Sequence, residues 1–171
     1  MKLRILFLRA IRFFKRILLL DGRIAQVQQL GERIAEKNIS LNRSLAVTGE
    51  RRAANYLRQK GYQILNRNWS VPEGELDIVC RYRNTLVAVE VKTRKAPGSN
   101  MQDALDAVTT DKVKRIKKLL AHYSYNNSRR LKAMRIKHTR IDVIGIIHRT
   151  LPSPLKKHSW QLTHLEDIDS L

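Results

Sequence analysis

Cysteine is almost absent from this chain: Cys80 is the only one in 171 residues. An intramolecular disulfide is therefore excluded, and such usage suits a reducing compartment, which here means the cytoplasm. A cysteine-rich zinc site is excluded with it, and His122, His138, His148, His158 and His164 show no zinc-ligand spacing. Long apolar runs are missing too. Residues 3–20 are rich in Leu, Ile and Phe, but Arg4, Arg9, Arg12, Lys15 and Arg16 interrupt them. A transmembrane helix needs about 18 uninterrupted apolar residues, and a secretory signal needs an unbroken apolar core before a small-residue cleavage site. Neither is legible. Glycine and proline are few, at 7 and 4, and 43% of the residues are hydrophobic, which excludes global disorder. A chain of this length buries roughly 70% of its unfolded surface, enough for one domain with a real core.

The scarcest charge is the negative one. Against 34 Lys and Arg stand 15 Asp and Glu, a formal charge of +19. That excess exceeds what solubility requires and points to an anionic partner, with nucleic acid first and an acidic membrane surface second. Within residues 111–140 there are eleven cations and Asp111 is the lone acid. This suits contacts to a phosphate backbone without base reading.

The N-terminal quarter differs from the rest. Residues 2–20 hold six cations and no acid. At 100° per residue, Leu3, Leu6, Phe7, Ala10, Phe13, Phe14 and Ile17 share one face and the cations the other. This predicts a basic amphipathic helix, which would lie on an anionic membrane, pack on a protein partner or dock on its own domain. Residues 21–47 read as a polar helical connector. We therefore divide the chain into an extension, 1–45, and a domain, 46–171.

Inside the domain a second helix is expected from a Thr48 cap to Gly61. Strands follow at Tyr62–Trp69, Leu76–Tyr82 and Leu86–Thr93, with turns at Glu73-Gly74 and Asn84-Thr85. Residues 94–107, with Pro97 and Gly98, read as a loop. A helix capped by Thr109 or Thr110 runs to about Tyr125, a basic segment reaches His138, and Arg140–Ile147 is an apolar strand. A short strand or helix is expected near Trp160–Leu165. The order α-β-β-β-α-β predicts a mixed sheet flanked by helices.

The candidate chemistry lies on the second and third strands. Val87, Val89 and Val91 alternate with Ala88, Glu90 and Lys92, so Glu90 and Lys92 project from one face. Glu73, Glu75 and Asp77 cluster nearby, and a hairpin would bring Asp77 to Glu90. Paired carboxylates repel and desolvate each other unless a cation neutralises them; hard oxygen donors suit Mg²⁺ or Mn²⁺. A surface salt-bridge face is the ordinary alternative for Glu-x-Lys on a strand. Two helices add to the pattern. Glu50 falls inside the apolar arc of Ala53, Ala54 and Leu57, with Arg51, Arg52, Asn55 and Arg58 outside. Lys112 falls inside that of Val113, Ile116, Leu119, Leu120 and Tyr123. Simple alternatives are an acid favouring a helix N-terminus and a snorkelling lysine.

These residues resemble a known family. Gly49-Glu50, Ala53-Ala54, Tyr56-Leu57, Gly61-Tyr62 and Asn66-Arg67-Asn68 look like the start of the YraN family, a poorly characterised group in the PD-(D/E)XK, restriction-endonuclease-like superfamily. Gly74-Glu75-Leu76-Asp77-Ile78-Val79 is similar to its acidic strand motif and Val89-Glu90-Val91-Lys92-Thr93-Arg94 to its Glu-x-Lys motif. Thr109, Lys112 and Arg140-Ile141-Asp142-Val143 match its later helix and strand. The resemblance covers roughly residues 46–168. It implies a restriction-endonuclease-like core and a divalent cation, Mg²⁺ or Mn²⁺, held by Asp77 and Glu90 with Glu50 as a further acid. It also implies Lys92 as catalytic lysine and Lys112 on the phosphate side. The expected activity is metal-dependent hydrolysis of nucleic acid, structure-selective DNA ahead of RNA. Lys114, Arg115, Lys117, Lys118 and Arg94 would join Lys112 on the backbone. A non-catalytic nucleic-acid binder on the same fold and a membrane-surface adaptor are the other readings.

Overall fold

The structure is a computed structural model that describes residues 2–96, 100–102, 108–150 and 158–168, with side chains from residue 26 onward. The chain divides into two units, Met1–Ser44 and Leu45–Leu171. The first helix, α1, runs over Lys2–Gln59. The break expected before Thr48 is not there, so Thr48 lies inside α1 and caps nothing. The physical reason is continuity of donors: the first proline of the chain is Pro72, so every residue of α1 keeps its N–H for the helical ladder. Its end is as expected. Gly61 takes φ +86, the Tyr62 N–H donates to the Leu57 carbonyl at 2.9 Å, and the Gly61 N–H donates to the Arg58 carbonyl at 3.0 Å. This is a Schellman stop, which a Cβ at Gly61 would strain.

Strands β1 (Gln63–Val71), β2 (Gly74–Tyr82) and β3 (Thr85–Lys95) form an antiparallel meander. Both turns sit one residue earlier than the sequence suggested, at Pro72-Glu73 and Arg83-Asn84. Arg83 takes the positive φ, +54. Strand β4 (His138–Thr150) lies parallel to β3, and β5 (His158–Leu165) returns antiparallel, giving the order β1-β2-β3-β4-β5. A parallel step needs a crossover. Helices α2 (Thr110–Asn126) and α3 (Ser128–Ala133) belong to it. Thr109 caps α2 by accepting the Lys112 N–H at 3.3 Å. The tail resolves as a strand rather than a helix, while Pro97, Gly98, Pro152 and Pro154 lie outside the described residues.

The result is a mixed α/β domain with a core on each face of the sheet. On one face Ala53, Ala54 and Leu57 of α1 pack over Ile78, Val87 and Val89. On the other, Ile116, Leu119, Leu120 and Tyr123 of α2 pack over Val79, Leu86 and Ala88. Strand β3 is the middle strand, and its residues Leu86 to Val89 are at most 2% exposed. A polar side chain on it therefore sits at the rim of two apolar layers.

Candidate active site

The register of β2 and β3 pairs Ile78 with Val89, so the next residues in line are Asp77 and Glu90. Beyond Ile78 the ladder passes to a side chain: the Val91 N–H donates to Asp77 Oδ2 at 2.7 Å. Glu90 is 3% exposed and shares the α2 face with Leu86 and Ala88 through the two-residue period. Lys92 follows on that face, with Nζ 2.5 Å from Glu90 Oε1. Lys112 reaches the same oxygen from α2 at 3.1 Å. A nearly buried carboxylate thus meets two ammonium groups, one from its own strand and one from the helix above.

The third acid arrives from the opposite layer. Gly49 is buried against β3, and a Cβ there would overlap Thr93 Oγ1. That close approach places Glu50 at the rim of the sheet. Its Oε2 is buried without a hydrogen-bond partner; the Arg67 guanidinium at 3.8 Å is near enough for charge attraction only. The effect registers on Asp77. Burial, then the charge of Glu90, and more weakly that of Glu50, push its carboxyl from 3.8 up to about 7, against the Val91 hydrogen bond and Lys92. Asp77, Glu90 and Glu50 therefore form one electrostatic unit, held by two strands and a helix.

Among the described residues, no three His, Cys, Asp or Glu side chains are gathered tightly enough to hold a metal ion. Lys92 and Lys112 supply the cationic role at Glu90. In donor chemistry the residues still fit a hard divalent cation. The donors are carboxylate oxygens, Glu50 Oε2 is orphaned, and Asp77 resists ionisation beside its neighbours. Added positive charge would relieve both conditions.

Of the residues singled out in the sequence, Glu90, Lys92 and Lys112 meet directly, Asp77 is their neighbour across the hairpin, and Glu50 is near enough to act on the Asp77 carboxyl. Lys114 is exposed and pairs with Asp111 at 3.9 Å. Arg115 donates from Nε and Nη2 to the Glu73 carbonyl at 3.1 and 2.9 Å, tying α2 to the β1–β2 turn. Lys117 and Lys118 are on the exposed side of α2, and Arg94 is exposed near the end of β3. Glu73 and Glu75 are exposed and stand apart from the carboxylate unit. A cleft of about 310 Å³ beside Lys112 is lined by Ser70, Gly74, Glu75 and Arg115.

Sequence reading missed two groups. Arg67 faces Glu50, with only its place in Asn66-Arg67-Asn68 as a signal. Asp142 is fully buried and accepts hydrogen bonds from Arg140 at 2.9 Å and the Asp167 N–H at 3.0 Å, with His164 Nε2 also at 3.0 Å. The visible sign was two charges alternating through an apolar strand. A buried acid so fully partnered ties β4 to β5 and the segment after it.

The fold and this centre define a mixed α/β domain with a carboxylate–lysine cluster at the hairpin of its middle strands. The chain belongs to the uncharacterised protein family UPF0102, whose model matches residues 49–146; this is the YraN family that the motifs resemble. It is 37% identical over 124 residues to a UPF0102 protein of Paenarthrobacter aurescens, covering 72% of this chain and 92% of the relative. A UPF0102 protein of Mycobacterium bovis is 38% identical over 126 residues, 72% and 91% of the two chains. One of Syntrophomonas wolfei is 45% identical over 83 residues, 48% and 70%. Among the described residues no helix is long and apolar enough to cross a membrane.

Proposed function

We propose that this protein is a divalent-metal-dependent nuclease with its active centre at Asp77, Glu90, Glu50 and Lys92. The observation that supports this most is a half-buried carboxyl, Asp77, held up to about 7 by burial, then by the charge of Glu90 and more weakly by that of Glu50, with a lysine beside Glu90 on its strand. Such perturbation clusters at functional sites. A Mg²⁺ or Mn²⁺ ion held by Asp77 and Glu90, with Glu50 as a further acid beside them, would polarise a phosphate and raise the acidity of water. Lys92 Nζ, beside Glu90 Oε1, orients the attacking water and steadies developing charge on the phosphate. Lys112 offers a second ammonium from above. The exposed Lys114, Arg115, Lys117 and Lys118 of α2 and Arg94 of β3 lead the backbone toward the centre without reading bases. We take DNA with unpaired or branched structure as the substrate class and the cytoplasm as the site of action; the single buried thiol of Cys80 suits the latter.

One observation favours a second reading, a nucleic-acid-binding protein without catalysis: Glu90 already holds two ammonium groups. One experiment separates the two. Labelled single-stranded, duplex and branched DNA are incubated with the protein in Mg²⁺, Mn²⁺ or EDTA. Cleavage that needs the metal and is lost in Glu90→Gln supports the nuclease. Binding without cleavage in any condition refutes it and leaves the binder.

A further inference from the structure

Helix α1 presents an apolar stripe that nothing in the described structure covers. Val27, Ile34 and Leu41 are 69, 53 and 54% exposed, although each is a residue normally buried. They are spaced by seven. In the sequence the same spacing extends back through Leu20, Phe13 and Leu6. A second row interleaves at alternating steps of four and three: Ala10, Ile17, Ile24, Gly31, Asn38 and Leu45. The two rows are the d and a positions of a heptad repeat. They run from Leu6 to Leu45, 40 residues, or about 60 Å of helix. Isolated amphipathic helices do not keep a 3.5-residue period over more than five heptads, whereas coiled-coil strands do.

We propose that residues 6–45 pair with the same segment of a second copy of this chain in a parallel, two-stranded coiled coil. Three features select that occupant. Ile17 and Ile24 stand at a, and Leu6, Leu20 and Leu41 make up half of the d row beside Phe13, Val27 and Ile34; β-branched a residues with Leu at d favour two parallel strands. Asn38 is the lone polar side chain in the a row, where an Asn pairs with its own symmetry mate and fixes register and strand number at some cost in stability. The flanking charges fit only one direction. The g row carries Arg9, Arg16, Arg23 and Lys37, and the e row carries Asp21 and Gln28 but no cation. A parallel pair sets Arg16 of one chain against Asp21 of the other; an antiparallel pair sets the cationic g row against itself. A membrane would call for a broad apolar face. Between residues 26 and 45 the stripe is narrow: apart from Leu30 and Ile39 its flanks are polar, with Gln26, Gln28, Glu32, Arg33, Glu36 and Arg43. By connectivity, a parallel coil carries both 45–171 units at the same end, so two copies of the centre would be delivered together.

The pairing is independent of the chemistry proposed for that centre, because its readout is mass. Full-length protein is measured by sedimentation equilibrium, beside Ile34→Lys in the seam and Ile39→Lys outside it. Ile39 is 68% exposed but falls at b, so it controls for loss of surface hydrophobicity. The expected result is a species of about 40 kDa, twice the 19.9 kDa chain, for wild type and Ile39→Lys. Ile34→Lys should shift to the monomer by at least tenfold in dissociation constant. Leu41→Cys adds a direction test. Cys80 is buried, so a new thiol reports alone, and in a parallel, in-register coil the two d positions lie within the roughly 4.4–6.8 Å Cα separation of a disulfide. Cross-linking under mild oxidation is expected. A monomer at all concentrations, a species of three chains, equal behaviour of the two lysine variants, or a dimer that Leu41→Cys does not cross-link would each overturn the proposal. So would a monomer that floats with vesicles of phosphatidylglycerol, which would assign the stripe to an anionic membrane.

Discussion

Replacing Asp77 by Asn should make the metal-free protein more stable, and increasingly so as pH rises. The native state raises the Asp77 carboxyl from 3.8 to about 7 through burial and the charges of Glu90 and Glu50. Between those values the folded protein binds a proton that the unfolded chain has released. Its contribution is therefore fully present below pH 3.8 and is lost as pH climbs through 7. At about 1.4 kcal/mol per tenfold change in proton affinity, the full effect is on the order of 4 kcal/mol. Asp77 keeps a solvent-facing edge, so we expect about half, ~2 kcal/mol, at pH 8. Asparagine retains volume and can still accept the Val91 N–H through its amide oxygen, so the substitution removes charge and little else.

The assay is urea unfolding followed by circular dichroism, in EDTA, at half-unit steps from pH 4.5 to 8.5 for both proteins. Titrations distant from Asp77 cancel in the difference, so what is left belongs to Asp77 and the carboxylates coupled to it. The two should be nearly equal at pH 4.5, and the variant should lead by ~2 kcal/mol at pH 8, equivalent to roughly 4–8 °C in Tm for a chain of this size. A difference that does not change with pH, or a variant weaker at pH 8, would refute the reasoning. It would mean that Asp77 is an ordinary partnered carboxylate, and the case for a strained acidic centre would go with it.

Other consequences are open to direct measurement. Glu50→Gln should leave metal-free stability unchanged or higher, since Oε2 has no hydrogen bond to lose, while slowing cleavage at least tenfold; lower stability with full activity would remove Glu50 from the centre. Lys112→Met leaves Glu90 with one ammonium instead of two, so we expect weaker phosphate binding, read as a raised KM with a smaller change in kcat. Affinity for DNA should fall steeply with salt, by at least tenfold between 50 and 200 mM, if several of the exposed α2 cations engage phosphates; a flat response would exclude backbone recognition. Deleting residues 1–45 should leave the sheet intact by circular dichroism, because Ala53, Ala54 and Leu57 remain to cover it.

The fold was legible where a residue's own neighbours decide its state. The alternation of Val87, Val89 and Val91 with Ala88, Glu90 and Lys92 placed β3 between two layers, and the structure gives each row its own face. Glu50 within the Ala53–Ala54–Leu57 arc and Lys112 within that of α2 were visible for the same reason. Illegible features depend on distant partners. Thr48 looks like a helix cap, but a cap acts only where the preceding residues leave the helix, and nothing upstream forces them to. Arg67 lies on an edge strand, where one more arginine in a chain of 34 Lys and Arg carries no signal. Sequence alone does not separate Asp142 from an exposed acid. Arg140 lies two residues before it on β4, but His164 and Asp167 meet it only when β5 pairs with β4.

Gly49 shows how closely backbone and chemistry are joined here. Most helix interiors avoid glycine, which costs about 1 kcal/mol relative to alanine. At this position alanine is denied, because its Cβ would overlap the Thr93 hydroxyl. The helix thus accepts a weak residue in order to touch β3, and the contact falls one residue before Glu50 and one after Lys92. Moving α1 outward would restore room for a side chain and bury less of Ala53, but it would also withdraw Glu50 from Asp77 and ease the repulsion that raises the Asp77 carboxyl. Stability alone gives no reason to hold a third acid, its Oε2 without a hydrogen bond, near enough to raise the Asp77 carboxyl. Charges held together at such cost are characteristic of a site kept for what it binds, which is why the proposed function sets a divalent cation beside Asp77 and Glu90.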